Sequence, residues 1–101
     1  MYGTVCRFQI KPGMEAKLVE LTHEYESMSL VGISAEYVYR MDSSASEYYM
    51  AVIFESEEAY KKNAASPEQD ARYRKFRALL AGEPEWHDGT IVYAKAEQPV
   101  R

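Results

Sequence analysis

The densest group of potentially reactive side chains is Trp86-His87-Asp88-Gly89, near the end of the 101-residue chain. Histidine titrates near neutral pH, so His87 is the candidate general base, and a nearby carboxylate could orient its ring. Adjacent residues of an extended segment point in different directions, so adjacency alone does not pair His87 with Asp88. In the alternative interpretation Asp88-Gly89 is a turn and Trp86 packs over a helix end.

Arg7 is the second candidate, because it interrupts an apolar stretch that a sheet covered on both faces would bury. A charged side chain in such a place must be paired or must line a polar cavity. It could recognise a carboxylate or an enolate and stabilise negative charge that develops during a reaction. The alternative is an ion pair at a sheet edge or between chains, with Glu36 or Glu47 as the partner.

The other reactive residue types give weaker signals. His23 faces away from the apolar stripe of its predicted helix, which is typical of a surface residue. Cys6 is the only cysteine, so it can form no intramolecular disulfide, and we expect a buried structural thiol. No group of side chains has metal-site spacing, and the sequence contains no phosphate loop, nucleophile elbow or dinucleotide fingerprint. We therefore expect no metal.

The composition is typical of one soluble globular domain, with 47% hydrophobic and 28% charged residues. The net charge of -4 argues against nucleic acid or an anionic membrane as the partner. The N-terminus lacks a signal-peptide pattern and no stretch reaches membrane-spanning length, so we expect a cytoplasmic protein. Nine tyrosines suit a partly wet pocket or interface, although tyrosine is also simply a good strand residue.

Hydrophobic periodicity predicts the order strand, helix, strand, strand, helix, strand, with the second helical region in two pieces. Ser66 is the predicted N-cap of the second piece, and Gln69 is placed to close a capping box. In that piece Arg72 is predicted to stay outside, while Tyr73 and Phe76 face the core. The predicted elements are strands at 2–10, 34–40, 48–54 and 90–95, a helix at 14–28, and helical pieces that begin at Ser56 and Ser66, with a polar tail at 96–101.

This order predicts a ferredoxin-like α+β fold, with a four-stranded antiparallel sheet and the helices on one face. Residues 48–54 are apolar on both alternating faces, so water on the second face would expose a large apolar patch. We therefore expect a two-fold homodimer whose sheets face each other and enclose a cavity. The candidate walls of that cavity, and so the candidate ligand-binding residues, are Tyr37, Tyr39, Tyr49, Tyr93 and Trp86.

Four segments spread along nearly the whole chain carry a resemblance to a known family. They are Lys11-Pro12-Gly13, Phe54-Glu55-Ser56-Glu57-Glu58-Ala59-Tyr60, Ala65-Ser66-Pro67 and Pro84-Glu85-Trp86-His87-Asp88-Gly89. In this order they resemble the dimeric α/β-barrel superfamily and, within it, the antibiotic biosynthesis monooxygenase-like group. The resemblance implies one such domain over residues 1–101 and, for an enzyme, oxygenation of an electron-rich aromatic substrate without a cofactor. The asparagine and histidine on which haem-degrading members rely have no match here.

The sequence thus supports two hypotheses. In the first, the protein is a homodimeric, cofactor-independent monooxygenase that binds a small aromatic molecule, with His87 as the base and Arg7 as the group that holds the substrate anion. The alternative is a non-catalytic ligand-binding or structural dimer. An open cavity that Arg7 and His87 reach would favour the first hypothesis, and an interior filled by the protein's own side chains would favour the second.

Overall fold

The computed structural model of the chain describes residues 1–26 and 32–95. In it four antiparallel strands form one sheet, and three helices cover one face of that sheet. The strand order is β2-β3-β1-β4. The predicted α+β, ferredoxin-like class is therefore confirmed. In chain order the elements are β1 (Tyr2–Gln9), α1 (Glu15–Glu26), β2 (Ile33–Arg40), β3 (Glu47–Phe54), α2 (Glu57–Ala64), α3 (Pro67–Arg77) and β4 (Glu85–Thr90).

Strand β1 has two different faces, as its alternation predicts. Thr4, Cys6 and Phe8 are buried on the side of the helices, while Val5 and Arg7 lie exposed on the other side. Cys6 is fully buried, and burial raises the pKa of its thiol to about 12. The prediction of a buried structural thiol is therefore confirmed.

The core lies between the sheet and the apolar sides of α1 and α3. Leu18 and Leu21 of α1 are buried in it, as their spacing predicts, whereas Met28 lies outside the described residues. Phe8 packs edge-on against Phe76 of α3, with ring centroids 4.9 Å apart. Burial of these rings and aliphatic side chains is the main force that holds the helices on this face.

The break between α2 and α3 is built by local hydrogen bonds. Ser66 is the N-cap of α3, since its side chain accepts a hydrogen bond from the Gln69 amide at 3.1 Å. The predicted capping box is wrong in its second half, because the Gln69 side-chain oxygen accepts hydrogen bonds from Arg72 instead. The prediction that Arg72 stays outside is also wrong: it is 8% exposed, because Gln69 and Asn63 supply oxygens for its guanidinium.

The last strand is earlier than predicted, at Glu85–Thr90 rather than at 90–95. Main-chain hydrogen bonds from Lys11 to Leu79 and from Ala81 to Gln9 hold the chain beside the end of β1, so pairing begins soon after Ala81. After β4, Val92 and Tyr93 are 95% and 77% exposed, and Ile91 is half-buried. The idea that Asp88-Gly89 is a turn is wrong for the same reason, and the tail at 96–101 lies outside the described residues.

Candidate functional site

A cavity of about 480 Å³ lies between the sheet and the three helices, and we call it the inner cavity. Aromatic and aliphatic side chains form most of its wall, and a few polar groups interrupt them. A larger groove of about 990 Å³ runs over α2 and α3, but charged side chains such as Glu58, Lys62 and Lys75 line it. The inner cavity therefore has the character of a small-molecule site. Its wall includes Phe8, Leu21, Val52, Phe54, Phe76 and Trp86, with Tyr25, Glu36 and Arg72 among the polar groups.

Glu36 is the acidic group that β2 contributes to the inner cavity. It is paired with Val52 across the sheet, and residues opposite each other share a face, so its side chain points to the side of the helices. In the described parts of the chain no hydrogen-bond donor or cation pairs with its carboxylate. The residue as a whole is exposed to solvent, while the atoms around its carboxylate desolvate that group and raise its pKa.

Arg72 of α3 is the basic group of the same wall. Its Nε and Nη2 atoms lie 3.2 and 3.0 Å from Oε1 of Gln69, and Nη2 lies 3.2 Å from Oδ1 of Asn63. These partners are neutral, and within residues 1–26 and 32–95 no carboxylate forms an ion pair with Arg72. A buried cation that is held by neutral oxygens keeps its charge uncompensated and favours an anion nearby.

Tyr25 of α1 contributes a phenol to the same wall. Its hydroxyl donates a 2.6 Å hydrogen bond to the main-chain oxygen of Arg72, whose guanidinium lies 6.0 Å from the centre of the ring. Burial raises the pKa of Tyr25 to about 12; the charge of Arg72 lowers it, and the charges of Glu24 and then Glu36 raise it. The phenol therefore stays protonated at physiological pH, and its environment registers both charges.

Asp88 does not pair with His87, because neighbouring residues of β4 point to opposite faces. Its two carboxylate oxygens accept hydrogen bonds from the hydroxyls of Thr4, at 2.7 Å, and Tyr60, at 2.8 Å. Burial, then the hydrogen bond to Asp88, raises the pKa of Tyr60 to about 12. This group fastens α2 to the sheet at one side of the inner cavity.

Most of the residues that the sequence singles out lie on the other face of the sheet, which we call the open face. Arg7 donates a 2.9 Å hydrogen bond from Nε to Glu47, and its Nη1 atom lies 3.7 Å from Glu85. His87 is 2.9 Å from Glu85 through Nε2. The structure thus contains the ion pair of Arg7 with Glu47 that the sequence offered as an alternative. The open face is formed by Val5, Arg7, Tyr37, Tyr39, Tyr49 and His87.

The remaining predicted ligand-binding residues are separated from this group. Trp86 faces the helices and lines the inner cavity, and Tyr93 follows β4 with 77% of its surface exposed. The sequence analysis assigned no role in the inner cavity to Glu36 or Arg72. The sequence did contain a signal for Glu36: side chains alternate along a strand, so Glu36 and Val38 share one face of β2 and Tyr37 lies on the other. No local signal existed for Arg72, since its burial depends on Asn63 and on α1.

Two classes of site are not found in the described residues. No three acidic, histidine or cysteine side chains there come close enough to hold a metal ion. No helix there combines the length and the apolar composition that crossing a bilayer requires.

No protein-family model matches the chain, and no curated protein matches it. Solved structures do match it. A variant of SnoaB, a cofactor-independent oxygenase from Streptomyces nogalater, has a TM-score of 0.79 at 16% identity over 95% of this chain and 97% of that one.

Two further structures have the same shape over nearly their whole length. A candidate antibiotic biosynthesis monooxygenase from Chloroflexus aurantiacus J-10-fl has a TM-score of 0.77 at 21% identity over 94% of this chain and 96% of its own. A protein of unknown function from Nitrosomonas europaea has a TM-score of 0.75 at 18% identity over 97% and 95%. The chain therefore has the fold of the antibiotic biosynthesis monooxygenase-like proteins.

Proposed function

We propose that this protein binds a small aromatic molecule in the inner cavity and acts on it as a cofactor-independent monooxygenase. The inner cavity is the observation that carries the proposal. Its volume of about 480 Å³ falls in the range of small-molecule sites, and its wall is mainly apolar with a few polar groups. The rings of Phe8, Phe54 and Trp86 offer faces and edges against which a flat aromatic ligand can pack.

The chemistry follows from what such a reaction asks of a protein. An electron-rich aromatic anion can react with dioxygen directly, so the protein has to bind the substrate, remove a proton and exclude water. The fold that the chain shares with SnoaB, a cofactor-independent oxygenase, supports this proposal. The unpaired carboxylate of Glu36 and the uncompensated charge of Arg72 supply a base and a cation in one cavity.

We propose further that the protein is a homodimer and that the open face is its interface. Val5 on β1 and Tyr37 and Tyr39 on β2 are 46%, 45% and 51% exposed there, which is unusual for large apolar side chains on one face of a sheet. Two open faces related by a two-fold axis would cover these residues. Light scattering at micromolar concentration tests this proposal, and a monomer would contradict it.

His87 and Arg7 remain a second proposed location for the chemistry, in a space between two facing sheets. Tyr37, Tyr39 and Tyr49 would line that space. The pairing of Arg7 with Glu47 and Glu85 offsets its charge, however, so it is a weaker anion site than Arg72. For this reason the inner cavity is the better-supported site.

One observation favours the alternative that the protein binds a ligand without catalysis. The described wall of the inner cavity contains no histidine, so the residue type that most often acts as a base is absent from it. A carboxylate would have to take that role, as it does in other proton-transfer sites.

Oxygen consumption by the purified protein tests the proposal, with a panel of anthrones and hydroquinones and with or without added haem. Uptake without haem that is lost when Trp86→Asp disrupts the cavity wall, but persists in His87→Ala, would support the inner cavity as the site. Loss in His87→Ala or Arg7→Ala instead would support the space between the sheets. If no compound is oxidised but several raise the melting temperature, the protein is a binding module. No uptake and no thermal shift would contradict the proposal.

A further inference from the structure

The inner cavity contains an acid without a partner and a cation without an anion, on different secondary-structure elements. Glu36 lies on β2 and Arg72 on α3, and Tyr25 of α1 lies close enough to both for each charge to influence it. Arg72 is buried, so its uncompensated charge costs folding free energy, whereas the carboxylate of Glu36 is exposed where a ligand can reach it. Natural proteins keep such groups where a ligand uses them, so the pair points to a function.

We propose that Glu36 is the catalytic base of the inner cavity and that Arg72 holds the anion that forms there. The proposal rests on the proposed function, because it assumes that an aromatic ligand enters this cavity, and it assigns the proton-transfer residue. The ligand class that fits is a hydroxyaromatic compound whose hydroxyl ionises. The hydroxyl would donate to the free carboxylate of Glu36, and its oxygen would accept from the guanidinium.

The hydrogen bonds of the Arg72 guanidinium leave one of its nitrogens free to bind the ligand anion. Its Nε and Nη2 atoms are used by Gln69 and Asn63, but Nη1 has no hydrogen-bond partner among the described residues. The fixed contacts hold the planar group in place, and the free nitrogen retains two N–H donors. A donor that is positioned before the ligand arrives stabilises a developing anion without reorganisation.

The proposed step is a proton transfer and needs no oxidant. The O–H bond of the ligand breaks, the proton moves to a carboxylate oxygen of Glu36, and the electron pair stays on the ligand oxygen and spreads into the ring. The carboxylate becomes neutral as the ligand becomes anionic, so the cavity holds one negative charge before and after the step. Arg72 offsets that charge in both states.

The other ionisable groups around Glu36 do not compete for this role. Tyr25 of α1 and Tyr60 of α2 have pKa values raised to about 12, so they stay protonated between pH 5 and 9. Asp70 of α3 forms an ion pair with Arg74 at 2.8 Å. Desolvation raises the pKa of Glu36 and makes it a stronger base than a solvated glutamate. The ionisable groups that the helices contribute to the same wall are Tyr25, Tyr60, Asp70, Arg72 and Tyr73.

A dye that changes colour when it loses a proton tests the assignment. Alizarin is a hydroxyanthraquinone whose neutral and anionic forms absorb at different wavelengths, so one titration reports both binding and ionisation. Wild-type protein should bind it and change its apparent ionisation pH. Glu36→Gln keeps the size of the side chain but removes the negative charge that would stand beside the dye anion, as protonation of Glu36 does, so bound dye should ionise at a pH lower by about one unit or more, a tenfold change in the equilibrium. Glu20→Gln, on the exposed side of α1, should match the wild type.

Variants of Arg72 provide the second part of the same dye titration. Arg72→Met should raise the ionisation pH of the bound dye, whereas Arg72→Lys, which keeps the charge, should restore part of the effect. A merely structural role of Arg72 would weaken binding without moving the ionisation pH. If Glu36→Gln binds the dye and ionises it as the wild type does, Glu36 is not the base, and the proposed binding function stands. If the wild type does not bind the dye, both proposals are overturned.

Discussion

Nη2 of Arg72 lies 3.2 Å from Oδ1 of Asn63, so the middle of α3 is tied to the last turn of α2 by a cation and a neutral amide. Gln69 accepts from the same guanidinium, and Tyr25 of α1 places its ring 6.0 Å from it. One side chain thereby fixes three helices relative to one another. Its position also makes it part of the wall of the inner cavity.

Replacing this side chain should destabilise the protein far more than replacing a neighbour of the same type. Arg72→Ala leaves oxygens of Asn63 and Gln69 without donors and removes packing on Tyr25, so we expect a loss of about 2–3 kcal/mol. Arg74→Ala, two residues further along α3, removes only an exposed pair with Asp70 and should cost about 0.5 kcal/mol or less. Urea unfolding followed by circular dichroism measures both. Equal losses would mean that the buried network contributes nothing.

The unpaired carboxylate of Glu36 should make the unliganded protein less stable at neutral pH than a variant with an uncharged side chain at this position. The pKa of Glu36 is higher in the folded state than in the unfolded state, so on raising the pH the glutamate of the unfolded chain loses its proton first. The contribution of Glu36 to stability is therefore fully present below about pH 4.3, and it declines as the pH rises through the folded-state pKa. Because the side chain is exposed and water screens its charge, we expect Glu36→Gln to raise the melting temperature by only about 1 °C at pH 7. The gain should shrink at pH 4. A variant that melts lower than the wild type at pH 7 would show that Glu36 has a partner in solution.

The proposed dimer interface can be tested with two valines of matched exposure. Val5 on the open face is 46% exposed and Val19 on α1 is 48% exposed. An aspartate in a two-fold interface brings like charges together and buries them, so Val5→Asp should weaken association about 100-fold or more. Val19→Asp should leave association unchanged. Light scattering over a dilution series gives both results, and the reverse pattern would place the interface on α1.

The thiol of Cys6 should make stability fall on the alkaline side. An unfolded cysteine ionises near pH 8.5, whereas burial raises the folded-state pKa to about 12, so the unfolded state loses its proton first as pH rises. The resulting loss is about 2 kcal/mol between pH 8 and 10. Tyr25 and Tyr60 add to it only above about pH 10.

Cys6→Ala is the control for this fall. The variant should be less stable at pH 7 because it loses buried volume, yet its free energy of unfolding should change little between pH 8 and 10. Urea titrations at four pH values in that range are sufficient. The same alkaline slope in wild type and variant would assign the effect to other groups.

The elements with strong periodicity could be predicted, and the weakly patterned ones could not. Alternation in β1 and the apolar stripe of α1 each specify a buried face, so the topology follows from them. Strand β4 has the sequence EWHDGT and is exposed along its whole length. Its residues have little preference for a strand, so the point at which the chain leaves α3 determines which of them pair with β1.

The candidate site was less predictable for a related reason. Arg7 and His87 are conspicuous in the sequence as isolated polar residues, yet both lie on the open face. Trp86, the residue before His87 in β4, lies on the opposite face and lines the inner cavity. A shift of one residue in a strand moves a side chain to the other face, so the site depends on the register of β4. Arg72 needed knowledge of the packed helices, because Asn63 of α2 and Tyr25 of α1 complete the environment that Gln69 of its own helix begins.

The position of β1 inside the sheet also governs how the chain folds as it is synthesised. This strand leaves the ribosome before the other three, and the side of it that pairs with β4 stays unpaired until Asp88, 84 residues after Thr4, has been synthesised. Until then one row of its backbone groups is free, which is the condition under which nascent chains associate wrongly. Closing such a long loop is also entropically slow. A chain that is cut short before β4 would therefore lose one strand and, in addition, expose the middle of its sheet as a new edge.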